Sequence, residues 1–99
     1  MKVKINNQEI ELRNTFKSFI IYEAMQNNKR FEPSSITDVI VYFFSVCLAS
    51  SNNMDAFTFD QFIEWLDQHP ESIQEFMEFL QKTNSDKFKG LGTTLAKKD

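Results

Sequence analysis

The feature that most constrains this chain is the apolar run at residues 36–50, whose centre reads IVYFFSVCLA. At about 100° per residue, Val39 and Phe43 share one face of a helix, whereas Val41 and Leu48 lie on the far side. A helix that is apolar all round must be surrounded, either by its own domain or by other copies of the chain. The run is also shorter than the roughly 20 residues that span a bilayer. We therefore predict a buried helix and no membrane span.

The chain has 99 residues, enough for one domain with a modest core. We expect this domain to cover the central helix only in part, which would leave apolar surface for self-association. The start of the helix is well marked, since Ser35 is suited to the N-cap and Asp38 occupies the capping-box position. Cys47 is the one cysteine, which excludes an internal disulfide, and its apolar surroundings predict a buried, inert thiol.

Charge is distributed unevenly along the chain. Residues 1–30 carry six Lys or Arg against three Asp or Glu, and residues 82–99 carry five Lys against two Asp. Residues 31–81 carry nine Asp or Glu and no Lys or Arg. Nucleic-acid affinity depends largely on Lys and Arg contacts to phosphates, so we expect no nucleic-acid partner. The acidic middle is either a solvated face or a surface that complements the basic chain ends or a basic partner.

Apolar periodicity predicts an α+β domain, mainly α, at residues 1–82 and a flexible tail at residues 83–99. Alternating segments on either side of an Asn-Asn pair indicate a β-hairpin, and Thr15 and Thr58 are suited to helix N-caps. The start, MKVKINNQ, lacks the apolar segment of a signal peptide, so we expect a cytoplasmic protein. The predicted elements are a hairpin over 2–12 and helices over about 16–27, 36–50, 59–68 and 70–82.

The first predicted helix has apolar residues on two sides. We assign its inner stripe to Phe16, Phe19, Ile20 and Ala24. Ile21 and Met25 point the other way, and this second side is either a partner surface or is sandwiched between the hairpin and the central helix. Glu23 falls on the inner stripe, where we expect a structural tie to the following loop rather than catalysis.

The last two helices repeat one pattern at an offset of fourteen residues, which we interpret as a helical hairpin with a wide packed face. The repeated residues are Phe59, Phe62, Ile63, Trp65 and Leu66 in one helix and Ile73, Phe76, Met77, Phe79 and Leu80 in the other. Trp65 and Phe79 lie roughly 120° from the stripe of their helix. We therefore predict that these two rings are exposed anchors for a partner.

No arrangement of residues typical of an enzyme stands out. The two glycines fall in the predicted tail and form no phosphate-binding loop. Residues 53–64 resemble a calcium loop only in part, because Phe57 stands at its fifth position and Thr58 replaces the glycine of its sixth. A Cys–His pair is not expected either, because Cys47 belongs to the apolar helix and His69, which we expect to be an exposed cap residue, lies at a helix junction. We predict no catalytic, metal or cofactor site.

The order of elements resembles that of the small tail assembly chaperones of long-tailed bacteriophages, over about residues 1–82. Members of that family commonly open with a hairpin similar to KVKINNQEIELR, followed by a helix with a Phe…Tyr-Glu pattern, here within residues 16–23. An apolar helix comes next, then a Thr-Phe-x-x-Phe-x-x-Trp-Leu segment, here residues 58–66, and a helix that begins at Pro-Glu, here Pro70. The family's usual Thr-Gly-Lys after the first helix is Asn-Asn-Lys here, at residues 27–29.

The resemblance implies binding without chemistry. Such proteins are thought to coat the long apolar helices of the tape measure protein and to bring tail tube subunits to it. We therefore expect a homo-oligomeric chaperone in the cytoplasm of a bacterial host. The residues predicted as its apolar contacts are Ile21, Met25, Tyr42, Trp65 and Phe79. Two rivals stay open: a structural protein of a phage or mobile element, such as a connector or minor tail component, and a small acidic adaptor that binds its partner as a monomer.

Overall fold

The computed structural model describes residues 1–26 and 35–87, with the backbone alone for residues 84–87. Within these ranges the elements are β1 Lys2–Ile5, β2 Gln8–Glu11, α1 Phe16–Met25, α2 Ile36–Ser51, α3 Phe59–Gln68 and α4 Glu71–Lys87. This hairpin followed by four helices confirms the predicted α+β class. The last helix continues beyond its predicted end at residue 82. The predicted loop at 27–34 and the remainder of the predicted tail, 88–99, lie outside the described residues.

The hairpin turns at Asn6 and Asn7, as the sequence predicts. Both residues have positive φ angles, 52° and 62°, which a two-residue hairpin loop requires and which Asn adopts at low cost. The register places Val3 opposite Ile10, and both side chains are buried in the core. Because an isolated two-stranded sheet is marginal in water, the hairpin depends on this apolar side and on the packing of β2 against α2.

Local hydrogen bonds mark the start of three helices. The predicted N-caps Thr15, Ser35 and Thr58 are confirmed, because each side chain accepts a hydrogen bond from the backbone N–H three residues on. Thr58 forms a complete capping box with Gln61, and Thr15 forms one with Ser18. Each such cap contributes about 1 kcal/mol and fixes where its helix begins.

The central helix α2 is enclosed by its own chain, so the expected partial coverage is wrong. Between Val39 and Ala49 every side chain is buried except that of Ile40, which is half-buried. Helices α1 and α4 and strand β2 pack against it. Cys47 is buried as predicted, and burial raises the pKa of its thiol. The centre of α2, residues 39–49, therefore gives no reason to expect self-association.

The ring of Phe43 joins α2 to both C-terminal helices. It stacks on Phe76 of α4, with ring centroids 4.3 Å apart and planes 5° from parallel. It meets Phe62 and Trp65 of α3 edge-on, at 5.2 Å and 6.0 Å. Such aromatic contacts contribute beyond their buried area, so this cluster holds the helical layer together.

The repeated pattern of the last two helices is also a repeat of burial. Residues 59–66 and 73–80 follow the same sequence of partly buried, exposed and fully buried positions. The fully buried members are Phe62 and Leu66 in α3 and Phe76 and Leu80 in α4. Each helix thus presents one amphipathic face to the common core, which its hydrophobic periodicity predicts.

Candidate functional site

The predicted inner face of α1 is wrong, because most of it faces solvent. Phe16 is 62 % exposed and Ile20 is 65 % exposed, and Ala24 is exposed as well. Ile21 lies on the side for which the sequence left a partner surface and a sandwiched position open, and it is only 7 % exposed. Of the four residues assigned to the inner stripe, Phe19 alone packs against the core.

Tyrosine packing sets the orientation of α1. The ring of Tyr22 meets the ring of Tyr42 edge-on at 5.7 Å, and Phe19 packs against the same tyrosine at 5.3 Å. Ser18 is fully buried on this side, where it takes part in the capping box. The buried side contains Ser18 and Tyr22 as well as Ile21, so hydropathy alone does not show which side of α1 is buried.

Phe16, Ile20 and Ala24 form one row along the exposed side of α1, and we call this row the α1 stripe. Their spacing of four residues places them one above another over about 12 Å of helix. Lys17 and Glu23 are exposed on its two flanks. An apolar row with polar flanks is the surface that one helix offers to another.

Two further apolar side chains are exposed where α1 ends and α2 begins. Met25 is 39 % exposed, and Ile36 is exposed at the first residue of α2. The amide of Gln26 donates to Asp38 Oδ1 over 3.3 Å, which holds these two helix ends together. Of the five residues predicted as apolar contacts, Met25 is the one whose side chain is exposed.

The other predicted contact residues lie in or against the core. Ile21 and Tyr42 are buried, so a partner cannot touch them unless the fold opens. Trp65 and Phe79 are half-buried and pack against the core, rather than being exposed anchors as predicted. A role for any of these residues in binding stays a prediction.

Trp65 has neighbours on both sides. Its ring stacks on Phe62 at 5.8 Å and on His69 at 4.9 Å. His69 ends α3 as its C-cap, and its Nδ1 lies 2.9 Å from the carbonyl oxygen of Trp65. His69 is thus a cap residue as predicted, but half-buried rather than exposed. Replacing Trp65 by Ser would remove these contacts together with any contact to a partner, so that change does not separate the two roles.

A chain of hydrogen bonds runs from Tyr42 to α4. The Tyr42 hydroxyl donates to Asn14 Oδ1, and the amide of Asn14 donates to Thr83 Oγ1 over 3.4 Å. Thr83 Oγ1 donates in turn to the carbonyl oxygen of Phe79 over 3.0 Å. Burial raises the pKa of Tyr42 above its ordinary value of 10.0, although the hydrogen bond to Asn14 acts the other way. These bonds tie the residue before the α1 cap to both α2 and α4.

Replacing Tyr42 by Phe is expected to lower the free energy of unfolding by about 1–3 kcal/mol at neutral pH, because a buried acceptor loses its donor. The folded-state pKa of Tyr42 is raised, so its contribution is complete below about pH 10 and declines at higher pH, where only the unfolded state ionises. The difference between wild type and variant should therefore shrink from pH 8 to about pH 11. Urea titrations at pH 8 and about pH 11 measure this difference in the free energy of unfolding. A difference that grows with pH would contradict a buried, protonated Tyr42 hydroxyl that donates to Asn14.

The acidic side chains of α3 and α4 that the structure describes all face solvent. They are Asp60, Glu64, Asp67, Glu71, Glu75 and Glu78. None of them forms a salt bridge with a residue in the described ranges. Glu23 is exposed too, so its predicted place on a buried stripe is wrong. The loop to which we expect it to be tied, residues 27–34, lies outside the described ranges.

The described part of the chain gives little support for a metal site or a membrane-spanning helix. No group of three His, Cys, Asp or Glu side chains there could hold a metal ion. No described helix is long and apolar enough to cross a membrane. An open, mostly polar groove lies between β2 and the end of α2, lined by Gln8, Glu11, Arg13 and Ser50 among others.

Comparison of the chain with protein-family models, with curated proteins and with solved structures found no match. The resemblance to tail assembly chaperones therefore stays a hypothesis from the sequence.

Proposed function

We propose that this protein is a non-enzymatic assembly chaperone that covers apolar helices of another protein before that protein is assembled. The sequence resemblance suggests the partner, the tape measure protein of a long-tailed phage, and the place, the bacterial cytoplasm. The observation that carries the proposal is the exposed α1 stripe. A chain that encloses the centre of α2 still leaves Ile20 and Ala24 in a row at its surface.

The size of the stripe favours many weak contacts over one strong contact. A stable interface buries about 800 Å² on each partner, and one row of three side chains on a ten-residue helix supplies only part of that. A long apolar helix offers the same kind of row again at every few turns. Many copies of a small protein could therefore cover it side by side, each one bound reversibly. Weak self-association at high concentration follows from the same surface.

Co-expression tests the proposal directly. Apolar helical segments of the tape measure protein are expected to aggregate when made alone and to stay soluble with the wild-type chain. The variant Ile20→Ser should lose this effect, because it places a hydroxyl in the middle of the stripe. Met54→Ser is the matched control, since Met54 is an exposed apolar residue far along the chain from α1. If both variants protect equally well, the stripe is not the binding surface.

Two further measurements separate the chaperone from its rivals. Light scattering across a concentration series should give a solution mass that rises with concentration if the stripe also joins copies of the chain. Finished virions should lack the protein, since a chaperone leaves when assembly ends. Its presence in virions would favour a connector or minor tail component instead.

An acidic adaptor is the second candidate, favoured by the six exposed carboxylates of α3 and α4 and by the enclosed core. A monomer with such a face would bind a basic partner by charge. Binding of this kind weakens steeply as salt screens the charges, with a Debye length of about 8 Å at physiological ionic strength. Binding through the stripe would instead change little with salt, so a salt titration of any partner complex distinguishes the two.

A further inference from the structure

Strand β2 has an edge that no other strand of the described residues covers. The sheet has two strands, so β2 pairs with β1 on one side only. The polar groove, about 400 Å³ in volume, is lined by all four residues of β2 and by the end of α2, but by no residue of β1. At one end of the groove, Arg13 N–H donates to Ser50 Oγ over 2.9 Å. The groove therefore runs along the uncovered edge of β2.

The register of the hairpin shows which backbone groups point to this edge. Leu12 N–H donates to the carbonyl oxygen of Met1 over 2.9 Å, so these two residues form a hydrogen-bonded pair. Hydrogen-bonded and non-hydrogen-bonded pairs alternate along an antiparallel ladder. Counted from that pair, Glu9 and Glu11 both fall in non-hydrogen-bonded pairs. Their backbone N–H and carbonyl groups therefore point away from β1 and towards the groove.

The side chains along this edge are acidic. Those of Glu9 and Glu11 are exposed, and the β1 residues opposite them are lysines. Cross-strand pairs of opposite charge stabilise a sheet, so β1 shows which chemistry suits these carboxylates. The β2 edge of a second copy would instead bring Glu against Glu, and charged side chains on edge strands oppose such pairing. The edge therefore favours a strand with basic residues at alternate positions.

The contacts that the two carboxylates already make are weak. Lys2 Nζ lies 4.0 Å from Glu9 Oε1, and the ammonium group of Met1 lies 3.2 Å from Glu11 Oε2. Exposed ion pairs contribute at most about 1 kcal/mol, and a carboxylate accepts more than one hydrogen bond. Both carboxylates can therefore pair with a further cation.

We propose that β2 binds an extended segment of a partner protein as a third strand, with Lys or Arg at two alternate positions opposite Glu9 and Glu11. In this mode of recognition, main-chain hydrogen bonds supply the affinity and alternate side chains supply the specificity. The four residues of β2 span about 13 Å, so the contact is short and reversible. The inference goes beyond the proposed function, because it involves neither the α1 stripe nor an apolar helix.

Binding of a peptide to the full-length chain tests the third strand. The probe is the acetylated, amidated hexapeptide Glu-Thr-Lys-Val-Lys-Thr, whose charged residues lie opposite Arg13, Glu11 and Glu9 in an antiparallel pair. The control is its charge-reversed form, Lys-Thr-Glu-Val-Glu-Thr. An NMR titration of the isotope-labelled protein measures the dissociation constants. The control should bind about tenfold more weakly, which corresponds to 1.4 kcal/mol. At saturation with the probe, hydrogen exchange of the Glu9 and Glu11 amides should slow by about tenfold or more.

Two proline variants identify the edge that binds. Glu9→Pro removes a donor that points into the groove but no hydrogen bond of the hairpin, and proline is tolerated at such edge positions. Lys4→Pro is the matched control, because its N–H points to the outer edge of β1. Glu9→Pro should weaken binding of the probe about tenfold or more, and Lys4→Pro less than about twofold. The double variant Glu9→Gln with Glu11→Gln keeps the backbone intact and should weaken binding about fivefold or more through charge alone.

Three results would overturn the proposal: no binding of the probe to the wild-type chain, equal binding of the charge-reversed peptide, or equal binding to Glu9→Pro and Lys4→Pro. Should a proline variant fail to fold, unchanged binding to the double Gln variant would overturn it instead. The titration uses no segment of the tape measure protein, so its failure is distinct from failure of the co-expression test.

Discussion

Replacing Phe43 by Ala is expected to lower the free energy of unfolding by about 3–5 kcal/mol, the usual cost of removing a buried phenyl ring. The ring is fully buried and touches α3 and α4 at once, through Phe62, Trp65 and Phe76. Its loss removes contacts on both sides and leaves a cavity that α2 alone cannot fill. Small domains have a free energy of unfolding of about 5–15 kcal/mol, so this one substitution removes a large part of it.

Urea unfolding measures the effect with two independent probes. Far-UV circular dichroism reports the helices, and the fluorescence of Trp65, the single tryptophan, reports the aromatic cluster. Coincident transitions would establish that the domain unfolds as one unit. Phe43→Leu is the conservative control and should cost less, since it keeps most of the buried volume. A loss below about 1 kcal/mol for Phe43→Ala would mean that the three helices do not meet at this ring.

Exchanging either of two adjacent isoleucines for Ser is expected to give opposite results. Ile20→Ser should leave the free energy of unfolding within about 0.5 kcal/mol, since the side chain is exposed. It should weaken binding of an apolar partner helix by about tenfold or more, because the stripe loses its central residue. Ile21→Ser should lower the free energy of unfolding by about 2–5 kcal/mol, because it removes a buried side chain.

The two variants are controls for each other. They change the same residue type, at neighbouring positions of one helix, to the same side chain. Urea titration gives the stability of each, and titration of a labelled partner helix gives the affinity of each folded protein. If Ile20→Ser proved the more destabilising of the two, α1 would be turned the other way, and the sequence-based assignment of its inner face would be restored.

The candidate site could be predicted from the sequence only in part. The two apolar sides of α1 are visible in the sequence, and so is the idea that one of them meets a partner. Which of the two sides meets a partner could not be predicted, because Phe16 and Ile20 on one side are as apolar as Ile21 and Met25 on the other. A helix without a clear polar face carries no local signal of its orientation.

Several elements of the fold were determined by the sequence alone. Asn6 and Asn7 specify the hairpin turn because they accept positive φ angles. Thr15, Ser35 and Thr58 specify helix starts because their oxygens bind nearby backbone N–H groups. The inward faces of α3 and α4 follow from periodicity, since each helix contrasts apolar residues with a row of exposed carboxylates. These interactions act within a few residues of each other, so they can be recognised without knowledge of the fold.

Only the tertiary structure decided how the apolar surfaces were paired. Tyr22 and Phe19 pack on Tyr42, and that contact turned α1 so that Ile20 faces solvent. The same packing, with the hairpin and α4, enclosed a helix that a chain of this length was expected to leave partly open. Hydrophobic burial is non-directional and depends only on the area removed from water. The sequence therefore determined which residues were apolar, and the packing of distant rings decided which of them stayed at the surface.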